Sequence, residues 1–184
     1  YRKGLSYRYG SKMQAIAGIH YNFSFPDEFF RRVRALKAPK VINLKVIKND
    51  TYLRMARNFK RYEWMYFLLF GASPAISSTF TNKNLNKFKI LPKGSLFKPS
   101  ATSLRMGDLG YISAIQDDLN ISINSIEEYL QDLKNALTRP HADYEVMGEF
   151  LNEERIQLNT AVIQIENEYY NTIRPKRICP TGER

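Results

Sequence analysis

Residues 13–25, MQAIAGIHYNFSF, alternate with a period of two. Met13, Ala15, Ala17, Ile19, Tyr21, Phe23 and Phe25 fall on one side, and Gln14, Ile16, Gly18, His20, Asn22 and Ser24 on the other. Side chains alternate across a strand, so the spacing predicts one whose first face is core. The second face carries two amides, a glycine and an imidazole, a poor set for a core. It is expected to line a cavity, with Tyr21 and Phe23 buried behind it.

Other segments show helical periods and stop signals. YRKGLSYRYGSK predicts a short helix ended by Gly10. Pro26 and Asp27 open a second, through DEFFRRVRAL, followed by a proline- and lysine-containing connector, KAPKVINLKVI. Asn49 or Asp50 is placed to cap a long helix over 51–70. Leu53, Ala56, Phe59 and Tyr62 give it one apolar stripe, and Gly71 ends it. Its last stretch, WMYFLLFGA, reads as a buried helix end. GASPAISSTF reads as a small-residue loop, and residues 81–99, polar, basic and turn-rich, as a mobile excursion. ATSLRMGDLGY suits an ordered loop. Ser125 and Glu128 form a capping box for a helix running to about residue 137, before Pro140. RIQLNTAVIQIENEYYNTIRPKR predicts two strands or one bent strand. Val162, Gln164, Glu166, Glu168 and Tyr170 would then oppose Ile163, Ile165, Asn167 and Tyr169.

Composition adds three constraints. The 184 residues are 43% hydrophobic and 13% aromatic, which places them among globular chains. No run approaches the roughly 18–20 apolar residues of a membrane span, so no membrane partner is expected. One cysteine, Cys179, precludes an internal disulfide and fits a reducing, cytoplasmic setting. With His20 and His141 far apart, zinc ligation is not expected. The net charge of +10 is uneven: residues 29–107 hold 17 Lys or Arg against Asp50 and Glu63 alone. Such a block points to a phosphate-bearing partner or to an acidic piece of the same protein lying elsewhere. The chain opens on Tyr1 without an initiator Met and closes on RICPTGER with no terminating helix or tail, so both ends read as cut from something longer.

Three segments hold polar or reactive side chains on otherwise apolar elements: Gln14 and His20; Arg105, Asp108 and Tyr111; and Glu166, Glu168 and Tyr170 followed by RPKR. Arginine forks grip carboxylates, and tyrosine hydroxyls and amides orient a ligand in a mostly apolar pocket. Together they describe a site for small, charged, carboxylate-bearing molecules. Bland readings stand beside each: a structural histidine, an Arg105–Asp108 ion pair pinning a loop, a Tyr170 that only packs.

The wording of four segments is more specific. YRKGLSYRYGSKMQAIAGIHYNFSF, LFGASPAISSTF, ATSLRMGDLGY and VIQIENEYYNTIRPKR together resemble the glutamate–cysteine ligases of the proteobacterial type, over essentially the whole chain. The resemblance implies an ATP-dependent ligase joining the γ-carboxyl of L-glutamate to the amine of L-cysteine through a γ-glutamyl phosphate, with Mg²⁺. This is the first step of glutathione synthesis. It implies an α+β fold with part of a curved antiparallel sheet flanked by helices, of the glutamine synthetase-like, carboxylate–amine ligase type. Tyr1, Leu5, Gln14 and Ile16 would contribute to the amino-acid pockets, with Tyr111 and Tyr170 holding the cysteine. Arg105, and less directly Arg2, would meet a substrate carboxylate or the acyl phosphate. His20 would be a Mg²⁺ ligand with Asn22 nearby, and Arg174 and Lys176 would lie near the nucleotide.

The family's Mg²⁺ carboxylates come from regions absent here, so the 184 residues read as a single piece of a larger ligase domain, inactive alone. Its partners are the remaining parts of the enzyme. The competing class is a basic, aromatic-rich nucleic-acid-binding domain. Against it, the aromatics follow core positions rather than the lysines, and no recognised nucleic-acid motif occurs.

Overall fold

The computed structural model describes residues 1–11, 20–37, 39–40, 43–80, 88–104 and 114–176. These are α+β, with helices predominating and two small antiparallel sheets. They divide into two compact units, one drawn from residues 1–18, 64–120 and 133–170, the other from 19–63, 121–132 and 171–184.

In the first unit, α1 (Arg2–Tyr9) ends at Gly10 as predicted. The strands β1 (Ala75–Ser77), β2 (Lys89–Ile90) and β3 (Ser95–Phe97) form a sheet in the order β1-β3-β2, with Ile76 opposite Leu96. The latter half of the expected excursion is thus regular structure, and the expected small-residue loop supplies β1. The reason is a single apolar anchor, Leu96, 2% exposed, with the Pro92–Gly94 turn reversing the chain before it. The four-residue helix α4 (Ala114–Asp117) follows, then the end of α5 (Ile126–Thr138), α6 (Ala142–Met147) and the hairpin β4 (Phe150–Leu151) with β5 (Glu154–Arg155). Leu5, Leu96, Leu104, Leu133, Ala136, Tyr144, Ile156 and residues 161–163 make the core.

The late strand is not formed. After β5 the chain is irregular, touching Pro140 through one bridge at Ala161 and closing in a short 3₁₀ turn, Glu166–Glu168. Ala161, Val162, Ile163 and Gln164 are buried in succession, whereas Glu166 is exposed and Glu168 fully buried. Alternation fails because this segment is packed on all sides, and its backbone partners are largely side chains.

The second unit holds α2 (Asp27–Lys37), the first part of α3 (Leu44–Phe70) and the start of α5. Lys48 hydrogen-bonds Asp27, and with Arg31 it holds that carboxyl below its usual range. Asp27 and Glu28 sit in the first turn of α2, where acids oppose the helix dipole. The α3 helix starts seven residues before expectation. Asn43 accepts the Lys45 N–H at 2.9 Å and so caps it, while Asp50 pairs with Arg54 along the helix instead. At α5 the capping box is half made: Ser125 Oγ accepts the Glu128 N–H, but the Glu128 carboxylate accepts from Ser122.

Two further expectations are corrected. Residues 20–25, the described part of the opening stretch, form no strand, and Tyr21 is 84% exposed. A strand persists only where a neighbour takes its backbone groups; here the Phe25 N–H goes to the Tyr52 hydroxyl at 2.8 Å. The rings of Tyr21, Phe23 and Phe25 still follow one another, with neighbouring centroids 5.6–5.9 Å apart. The WMYFLLF end of α3 is not buried either: Trp64, Leu68, Leu69 and Phe70 are all more than 60% exposed.

The end of α3 sets one stability prediction. A Cβ at Gly71 would overlap the carbonyls of Thr102 and Phe67, backbone atoms that cannot swing aside. Gly71→Ala is expected to cost about 1–3 kcal/mol, read as a lower melting temperature.

Candidate amino-acid-binding site

Among the described residues, a buried polar cluster centres on Arg8 and Glu168. Arg8, on the last turn of α1, has no exposed side-chain surface, nor has Glu168. The guanidinium donates from Nε to Gln157 Oε1 at 2.9 Å, from Nη2 to the Asn159 carbonyl at 2.6 Å, and from Nη1 to the Ala161 carbonyl at 3.0 Å and Glu168 Oε1 at 3.3 Å. Its carbon centre lies 3.9 Å from the centroid of the Tyr144 ring. An arginine fork thus does for residues 157–168 what a neighbouring strand would otherwise do.

Glu168 is satisfied from several sides. Oε1 also accepts from the Tyr9 hydroxyl at 2.8 Å, and Oε2 accepts the Gln164 N–H. Burial, followed by the charge of Glu168, pushes the Tyr9 phenol far above its ordinary range, so it stays a donor. Gln116 joins the circuit: Nε2 donates to the Tyr9 hydroxyl at 2.9 Å and to the Glu168 carbonyl at 3.1 Å, and Oε1 accepts the Tyr170 N–H at 3.3 Å. At the other end of α1, Gly4 lies so close to the Gln164 amide that a Cβ would overlap it. Only glycine permits that approach.

The implied site residues fall unevenly on this frame. Tyr1 and Leu5 lie on α1, joined by the Leu5 N–H to the Tyr1 carbonyl at 3.0 Å; Leu5 is buried, Tyr1 half-buried, Arg2 exposed. Tyr170 is half-buried in the same unit, held through Gln116. His20, Arg174 and Lys176 belong to the other unit. There Lys60 meets Glu63 at 2.7 Å and Asn171 at 3.0 Å, and the Tyr129 hydroxyl donates to the Pro175 carbonyl, which fixes residues 171–175. His20 is exposed on an irregular segment. Gln14, Ile16, Arg105 and Tyr111 lie outside the described residues.

Among the described residues, no three His, Cys, Asp or Glu side chains come together as a metal site. These residues alone therefore do not fit a Mg²⁺ ion, which takes several oxygen ligands. Among them, too, no helix is long and apolar enough to cross a membrane. Sequence reasoning missed Arg8, Tyr9 and Gln116. The available signal was an arginine between two tyrosines on a helix whose other residues gave it no acidic partner.

The family model for glutamate–cysteine ligase matches residues 1–184. The chain is 45% identical over 186 residues to the glutamate–cysteine ligase of Azotobacter vinelandii, covering all of this chain and 35% of that protein. It superposes with a TM-score of 0.84 and 41% identity on a crystal structure of glutamate–cysteine ligase from Francisella tularensis in complex with AMP, again covering all of this chain and 35% of the other. A bifunctional glutathione synthetase from Pasteurella multocida matches 75% of the chain and 16% of its own length, at 30% identity and a TM-score of 0.60. The chain belongs to the glutamate–cysteine ligase family and spans about a third of the length of the curated relatives it matches. Nothing in these relatives favours a nucleic-acid-binding domain.

Proposed function

We propose that this chain is the central part of an ATP-dependent ligase that makes γ-L-glutamyl-L-cysteine. The observation that carries the reading is the match to a ligase structure along every residue of the chain, with AMP bound in that structure. In this reading the glutamate γ-carboxylate attacks the γ-phosphorus of ATP and ADP leaves. The cysteine amine then attacks the acyl carbon, and phosphate leaves.

Tyr1, Leu5, Gln14, Ile16, Tyr111 and Tyr170 shape the amino-acid pockets, and Arg105, with Arg2 beside it, faces the anionic centre. Arg174 and Lys176 serve the nucleotide. His20 contributes one ligand to a Mg²⁺ site whose carboxylates come from the rest of the enzyme, which also accounts for the charge of +10. The sheet that completes the glutamine synthetase-like fold is supplied there too. The exposed apolar end of α3 supports this, since a helix end apolar all round belongs inside a larger protein. A cytoplasmic location goes with the same reading.

The test compares the complete enzyme with the 184-residue chain in an assay of γ-glutamylcysteine and ADP formation. The complete enzyme is expected to need all three substrates, and the chain alone to form no product. A complete enzyme that makes no γ-glutamylcysteine overturns the reading.

A further inference from the structure

The buried Arg8–Glu168 pair joins α1 to several points of the 157–168 segment. Arg8 reaches residues 157, 159, 161 and 168 at once, and Glu168 in turn ties Tyr9 and the Gln164 backbone. The elements so joined are α1, with Tyr1 and Leu5, and the segment that ends in Tyr170. Two separate links lead from the pair to Tyr170: the covalent chain from Glu168, and Gln116, which grips Tyr9, the Glu168 carbonyl and the Tyr170 N–H.

We propose that Arg8 and Glu168 are positioning residues for the amino-acid substrate that Tyr170 holds, fixing Tyr170 relative to Tyr1 and Leu5 through the Arg8 fork and the Gln116 bridge. This rests on the ligase reading above, in which that substrate is cysteine. Neither residue touches substrate. A planar fork fixes both distance and angle between the elements it spans, whereas an ammonium fixes only a distance. The geometry of the fork is therefore what the pocket depends on, and the positive charge alone does not replace it.

The test is made on the complete ligase, with kcat and KM determined for each substrate in turn. Arg8→Lys keeps the charge and loses the fork. It is expected to raise KM for cysteine roughly tenfold or more, with KM for ATP within about twofold of wild type. Tyr9→Phe removes a single donor to Glu168 while keeping the ring in place. It is expected to raise KM for cysteine about threefold, again without moving that for ATP. If Arg8→Lys does not accumulate as folded protein, Tyr9→Phe decides by the same split. A fall in kcat with every KM unchanged, or no change in either variant, is what a merely structural pair gives and overturns the proposal. A wild-type enzyme that forms no γ-glutamylcysteine removes the ligase reading instead, so the two failures are told apart.

Discussion

Arg8→Ala is expected to destabilise the fold by about 3–5 kcal/mol. The loss is not that of an ordinary ion pair. Removing the guanidinium leaves the Glu168 carboxylate, with no exposed surface, deprived of its counter-charge. The carbonyls of Asn159 and Ala161 and the Gln157 amide oxygen lose donors in the same stroke. Each buried acceptor left unsatisfied adds a desolvation cost of about 1–3 kcal/mol before relaxation and water recover part of it. In urea the unfolding midpoint should fall by roughly 1 M or more. Arg32→Ala, which removes an exposed pair with Glu28 on α2, should leave the midpoint nearly where it was. Replacing Arg8 and Glu168 together by apolar residues should cost less than Arg8→Ala alone, because no uncompensated charge then stays inside. Equal midpoints for Arg8→Ala and Arg32→Ala would mean that the buried pair contributes nothing net.

In the complete ligase, Arg105→Lys is expected to lower kcat/KM for glutamate by roughly 30- to 1000-fold. The charge is retained, but the paired donors that suit a carboxylate or a phosphoryl group in transfer are lost. A charge-assisted contact to developing charge is typically worth on the order of 2–4 kcal/mol, which is that range in rate. Lys93→Arg serves as the control. It lies in the turn between β2 and β3, far in role from any anionic substrate, and should do almost nothing. Equal, unchanged rates for both would assign Arg105 to an ion pair with Asp108.

Helices α1, α2, α3 and α5 were legible in the sequence because their signals are local, whereas the short α4 and α6 were not expected. Gly10 and Gly71 mark ends, Ser125 supplies a cap, and the acids of α2 lie in its first turn. The start of α3 was misplaced because two asparagines compete as caps six residues apart, and Asn43 wins. The late strand and the described end of the opening one failed for a different reason. Period-two alternation reports one buried face, but residues 161–164 are buried all round and residues 20–25 find no ladder. What orders residues 157–168 is a side chain about 150 positions away, and no window along the sequence contains both. Of the candidate site, the tyrosines and Leu5 came from the resemblance, while the frame that holds Tyr170 became visible only in three dimensions.

The Arg8 contacts also fix an order of events during synthesis. Arg8 and Gln157 are 149 residues apart in sequence. At ordinary elongation rates α1 emerges roughly 7–30 s before its acceptors exist. Throughout that interval its arginine and Tyr9 lack the partners at 157–168 that they have in the finished fold. Although α1 is made before α2 to α6, its docking waits on residues 157–168. Mutations that weaken this cluster therefore lengthen the window in which the nascent chain is open to proteases and to wrong partners, in addition to lowering the stability of the finished fold.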